Sequence, residues 1–345
     1  MIASASRPLI WLVMMVTLAG CGAPLSAARP AATATPATPA AIPMPPMLGA
    51  YHIFAADLLT GDVASLGAQT VNVSRSVHGL GLSPHDHWLY VTDVSGDRLV
   101  AYRLQNGRLS DERAAAVGDY PVHMVETTDQ RFIFVTNFYG ASVSVVSLQT
   151  WRVVRTIATP RSPHGIVLSP DGRYAYVACY LGHAIAVLDV ATQTLVATIP
   201  FPAQAQPFGL AISPDGRYVY ASDNFSGRLY VADTATRRLI TGVSVGQRPA
   251  LIARSPNGRT LYVANGASRS VSVLDIGADP AAPRVITTIP ITGYPHGIAI
   301  TPDGRYVIVA DTAGGQLSVI DTLTERVIAD VSGLRYPNDA IATAA

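Results

Sequence analysis

A short pattern recurs along this chain every 42 to 46 residues, with openings at Val77, Pro121, Pro163, Pro207, Pro249, Pro295 and Pro337. The copy from Ser162 to Pro200, SPHGIVLSPDGRYAYVACYLGHAIAVLDVATQTLVATIP, shows its parts. GIVLS is a short apolar run and reads as a first strand. Pro170-Asp171-Gly172 is a turn, because Pro presets φ and Gly accepts a positive φ. RYAYVACY, AIAVLDV and TLVATIP read as three further strands, separated by Tyr180–His183 and by Ala191–Gln193. Apolar residues fall on both faces of these strands, so each four-stranded meander needs neighbours on both sides. That period and that requirement together describe the blade of a β-propeller.

Six units are complete. Tyr336–Ala342 reads as a first strand with nothing after it, and Tyr51–Val73 as later strands with no first strand before them. Pairing the two termini makes a seventh, composite blade and removes the open sheet edges. Residues 48–345 are thus expected to form one all-β domain, a seven-bladed propeller of four antiparallel strands per blade.

Residues 1–47 read differently. Arg7 precedes the apolar run Leu9–Leu18, which ends in Leu18-Ala19-Gly20-Cys21. The run has signal-peptide length and is short for a membrane span. With the terminal Cys it looks like a bacterial lipobox, so residues 1–20 are expected to be removed and Cys21 to carry lipid. The protein is then exported, and its partner is the membrane, through that anchor. Residues 22–47, rich in Ala, Pro and Thr, read as an extended spacer. Lipidation of Cys21 leaves Cys179 without an intramolecular partner, so no disulfide supports the fold.

The second strands recur as LYVTD, IFVTN, AYVAC, VYASD, LYVAN and VIVAD, each after a PDG-type turn or its variant and before strands ending at Asp189, Asp233, Asp275 or Asp321. These repeats resemble the YVTN family of β-propeller proteins, which implies an exported or surface protein with a binding role. The unit Val77–Leu109 is also similar to a blade of the seven-bladed lactonase family, with His78, Asp93, Asp97 and Arg98 matching PH…D…GxDR. That resemblance implies a lactone hydrolase.

Strand alternation puts the loop before each first strand and the loop between strands two and three at one end of the ring. The first turns lie at the other. On the crossover-loop face are expected His78, His123, His164 and His296 at matching repeat positions, with Phe208, Ala250 and Asn338 in the other blades. The ends of the second strands add Asp93, Asn137, Cys179, Asp223, Asn265 and Asp311. The next loops add Phe138, Tyr139, Tyr180, His183, Asn224 and Phe225. Together these are expected to ring a channel mouth that binds a small molecule, a peptide or an envelope protein. Converging imidazoles are also where a transition metal would sit, although blade-length spacing is no metal motif. Alternatively each His donates to the next blade and locks the ring. The Asp and Asn side chains can cap the following turns. Cys179 reads as a small buried hydrophobe.

No motif demands another cofactor. The chain has no lysine, which excludes Schiff-base chemistry and a P-loop. No G-x-S-x-G elbow, HExxH or CxxC occurs. Aromatics such as Phe138, Tyr139, Tyr180 and Phe225 could stack bases, but a net charge of +1 argues against nucleic acid. A monomer is expected. A binding or scaffolding role at the cell envelope comes first on the sequence, with a lactonase- or lyase-type enzyme using the histidine ring as the alternative.

Overall fold

The structure is a computed structural model and describes residues 41–83 and 87–345. Cys21, the signal-like run and the turn residues His85 and Asp86 lie outside the described residues.

The described strands form seven four-stranded antiparallel sheets. Numbering the blades in chain order, the inner strands of blades 1 to 6 are Val77–Leu82, Pro121–Glu126, Pro163–Leu168, Pro207–Ile212, Pro249–Arg254 and Pro295–Ile300. Blade 7 takes its inner strand, Pro337–Ala344, from the C-terminus and its other three, starting at Tyr51–Asp57, from the N-terminus. The two termini pair from Tyr51↔Ala344 to Asp57↔Pro337. Every opening read from the repeat is the first residue of an inner strand.

Alternation along the strands explains the packing. In blade 3, Ala175, Val177 and Cys179 pack against Phe134, Val143 and Val145 of blade 2. Tyr176 and Ala178, between them in sequence, pack against Leu210, Val219 and Ala221 of blade 4. Seven such clusters lie between adjacent blades, so the core is a ring of interfaces. The folded unit also takes in the end of the stretch read as spacer. Ile42 is buried with Leu48 against blades 6 and 7, and its carbonyl accepts from Gly67 N at 2.7 Å.

The SPDG turns are held by their own side chains. Ser169 Oγ donates to Asp171 Oδ1 at 2.5 Å and accepts from Tyr174 N at 2.9 Å, while Gly172 adopts φ 69°. The same bonds recur around Asp215 and Asp303.

Candidate functional site

The inner strands converge on the axis because small residues let them. A Cβ on Gly79 would stand 2.2 Å from the Val122 carbonyl oxygen, and one on Gly165 2.5 Å from that of Phe208. Only glycine permits this approach. It brings the four histidines together. The ring centroid of His78 lies 5.1 Å from His123, 5.3 Å from His164 and 6.0 Å from His296, and His123 lies 4.8 Å from His164.

The register corrects the expectation that all four occupy one repeat position. Val77 pairs with Asp93 and Leu80 with Val91 in blade 1, and Pro121 with Asn137 and Met124 with Val135 in blade 2. His78 is therefore the second residue of its strand, as are His164 and His296, whereas His123 is the third. The second place holds His78, Val122, His164, Phe208, Ala250, His296 and Asn338. The third holds Gly79, His123, Gly165, Gly209, Leu251, Gly297 and Asp339.

Second-place residues fasten blade to blade. His296 Nδ1 lies 2.9 Å from the Asn338 carbonyl, His78 bonds the carbonyl of Val122, and His164 that of Phe208. Asn338 Nδ2 donates to the His78 carbonyl at 3.3 Å. In blades 2 and 4, where the second place is apolar, the hydroxyl near the end of strand two substitutes; blade 5 has Ala250 and Ala264 at the two positions. Thr136 Oγ1 donates to the His164 carbonyl at 2.8 Å, and Ser222 Oγ to that of Ala250 at 2.6 Å. Blades 3 and 6, which rely on histidine, carry Ala178 and Ala310 there instead. Blade 1 alone among these has both devices, since Thr92 Oγ1 also donates to Val122 O at 3.0 Å.

The expected channel mouth is closed. His78, His164, Phe208 and His296 are buried, and His164 lies against Phe208 with centroids 3.7 Å apart. Phe138 and Tyr180 pack over them, with Tyr120 and the more exposed Tyr139 beyond. His183 stands apart, its Nδ1 2.6 Å from the Ala205 carbonyl. Asp93, Asn137, Asp223, Asn265 and Asp311 are buried and fasten the loops. They accept, for example, from Gly96 N at 2.8 Å, Gly118 N at 3.1 Å, Gln206 N at 2.6 Å, Gly246 N at 3.1 Å and Tyr294 N at 2.6 Å. Arg98 pairs with Asp93 through Nη2 at 2.7 Å, and Asp97 accepts from Tyr120 N. Asp57, overlooked in the sequence, is the same residue of blade 7 and accepts from Arg335 N and Tyr336 N. Cys179 is buried, and burial pushes its thiol up to about 12, which removes it as a nucleophile.

The channel opens instead at the first-turn end. The inner strands of blades 1, 2, 3 and 6 are buried over their first four residues and partly exposed at the last two. A cavity of about 240 Å³ lies there, walled by Leu80, Met124, Ile166, Leu210, Ile298 and Ile341. His123 and Asp339, the two polar third-place residues, are its ionisable groups. Asp339 is buried; it accepts from Leu80 N and from Ala340 N, each at 2.9 Å. Burial raises its carboxyl to about 7, against those two bonds. Gly297 makes room for it, since a Cβ there would stand 2.9 Å from Asp339 Oδ1. Sequence reading passed over Asp339, although aligning PNDA with PHGI places it beside His123 rather than His78. Burial first, then the neighbouring imidazoles, holds His78 and His164 well below the ordinary histidine range. His123 falls to about 3 and His296 to about 4, burial again dominating. All four are neutral at pH 7.

Residues 62–241 match the family described as lactonase, 7-bladed beta-propeller, and residues 166–342 match the cytochrome D1 heme domain. A 6-phosphogluconolactonase of Pectobacterium atrosepticum is 33% identical over 78 residues, covering 22% of this chain and 24% of the relative. The aligned stretch thus spans about a quarter of that relative's length. Among solved structures, a periplasmic gluconolactonase of Pseudomonas aeruginosa superposes with a TM-score of 0.72 at 21% identity, over 85% of this chain and 99% of that one. A putative 6-phosphogluconolactonase of Bacteroides fragilis gives 0.73 at 16% identity, over 87% and 99%. Hydrazine synthase of Kuenenia stuttgartiensis gives 0.66 at 22% identity, over 75% and 87%. These three likenesses concern the fold. The cavity, at about 240 Å³, is smaller than the ~300–1,000 Å³ of ordinary cofactor pockets, so a tetrapyrrole does not fit it. Each of the two family descriptions covers just over half of the chain, and with seven blades closed by both termini the chain belongs to the seven-bladed β-propeller lactonase family.

Proposed function

We propose that this protein is an exported, lipid-anchored hydrolase that opens small uncharged lactones in the cavity at the first-turn end of its channel. The observation that carries the reading is that His123 and Asp339 both stand in the wall of a cavity whose other side chains are apolar. Family membership supports it, and it reverses the weighting drawn from sequence, where binding came first.

The chemistry follows from the carboxyl. Deprotonated, Asp339 takes a proton from water as the water oxygen bonds to the lactone carbonyl carbon. The ring C–O bond then breaks, and the proton passes to the departing alkoxide, giving a hydroxy acid. A carboxyl near pH 7 is suited to both transfers. The titratable groups on the strands packed against it are His78 and His296, both neutral, Tyr51, His52 and Tyr306, and Asp57 and Asp311, whose carboxyl groups accept from backbone N–H groups. Among the described residues the cavity wall has no arginine, and the chain has no lysine, so no arginine or lysine of that wall would compensate a phosphate. An unphosphorylated lactone is the better fit.

The test is acid release, followed by pH-stat, from δ-valerolactone and from 6-phosphogluconolactone. Hydrolysis of the neutral lactone, lost in Asp339→Asn, is expected. A folded protein that opens neither substrate would return the binding reading to first place. For the anchor, Cys21→Ala should move the protein from the membrane to the soluble fraction; continued membrane association would rule out lipidation at Cys21.

A further inference from the structure

We propose that His78, His123 and His164 form a site for one divalent transition-metal ion of the Zn²⁺ class at the closed end of the channel. One ring nitrogen from each of the three lies within 4.8 Å of the others. Drawing them onto a common ion at the usual Zn–N distance of about 2.0–2.1 Å moves each by roughly 0.7 Å at most. That is within the reach of side-chain torsions.

Blade locking does not account for two of the three. The His78 tie to Val122 duplicates the one from Thr92, and its Nδ1 has no partner among the described residues. His123 sits at the third place, its ring makes no tie to a neighbouring blade among the described residues, and its Nε2 is buried without a partner among them. An unpartnered buried ring nitrogen is costly and needs an explanation. A metal ion supplies one for both. His164 has the other half of a ligand's geometry. One of its nitrogens is engaged by the Phe208 carbonyl, an arrangement that fixes ring orientation in metal-bound histidines. The donor set is all imidazole, with no thiolate or carboxylate, which suits Zn²⁺, Co²⁺, Ni²⁺ or Cu²⁺ over Mg²⁺ or Ca²⁺. The way in is the cavity, since His123 belongs to both its wall and the cluster. Three ligands leave a coordination position free.

The test uses the chelator-stripped protein, with Zn²⁺ titrated by calorimetry and Co²⁺ followed by visible absorption. One ion per chain is expected, with the intense bands of a low-coordinate Co²⁺ site. His123→Leu should fold, because Leu251 holds the corresponding place in blade 5, and His78→Ala should fold, because Thr92 keeps the tie. Each should weaken Zn²⁺ binding at least tenfold, while His87→Ala, in an exposed first turn, leaves it unchanged. A wild type that takes up neither ion, or uptake that persists in both His123→Leu and His78→Ala, would overturn the site. No substrate enters this measurement, so it stands or falls apart from lactone hydrolysis.

Discussion

At the second place of the inner strands, His78, His164, His296 and Asn338 reach sideways to a carbonyl of the next blade. At the third place, one residue on, His123 and Asp339 wall the cavity, and most other blades have glycine. The two places share residue types and differ in what a substitution disturbs. The second belongs to an interface that blades 1, 3 and 6 fasten with an imidazole, blade 7 with the Asn338 amide and blades 2 and 4 with a hydroxyl, while blade 5 has alanine at both positions. The third faces either a neighbouring backbone, where only glycine fits, or open space, where chemistry is free to vary. A repeat architecture can therefore keep its ring intact while one or two third places are changed for function.

The largest effect expected from this contrast is on activity. Asp339→Asn removes the base, and loss of a general base costs about 10²- to 10⁴-fold in rate. In the wild type, activity should fall as pH drops through about 7, because protonation of Asp339 removes the form that accepts a proton. A pH–rate profile of kcat/KM checks this, and a profile flat from pH 6 to 8 would exclude Asp339 as the titrating base.

Next comes the third place where it is glycine. Gly79→Val sets side-chain carbon against the Val122 carbonyl and the His123 ring. Overpacking of this kind costs about 3 kcal/mol, and here the neighbour is backbone that cannot rotate away. Urea unfolding would show it. A loss below about 1 kcal/mol would mean that the inner strands can separate, contrary to the close approach that gathers the histidines.

How far the sequence reaches is visible in the same strands. Strand openings, the sevenfold ring and its composite blade follow from periodicity, because every blade must make the same turns and bury the same faces. The turn caps were legible for that reason. The exact place of His123 was not, since Pro121-Val122-His123 and Pro163-His164-Gly165 look alike until the pairing of Met124 with Val135 fixes the frame. Nor was the open end of the channel. Alternation sorts loops to two ends, but which end is plugged depends on how Phe208, Phe138 and the imidazoles fill the axis together. Asp339 was hidden by standing in the broken repeat, with no strands after it for comparison.

The smallest effects concern the second place, and they test whether histidine and hydroxyl substitute for one another. Thr136→Val leaves the His164 carbonyl without its side-chain donor and His123 N without its acceptor, with no imidazole at Val122 to replace them. A loss of about 2 kcal/mol is expected, at the upper part of the range for one or two buried groups left unpaired. Thr92→Val removes the equivalent bonds in blade 1, but the Val122 carbonyl keeps His78. Its loss should be about 1 kcal/mol, the share of the Gly79 N–H alone. The decisive quantity is the double-mutant cycle. If the two donors back each other up, His78→Ala with Thr92→Val must cost more than the sum of the single changes, since only the pair orphans the carbonyl. Strict additivity would show that His78 never shared that task. Its place at the axis would then rest on the imidazole cluster alone.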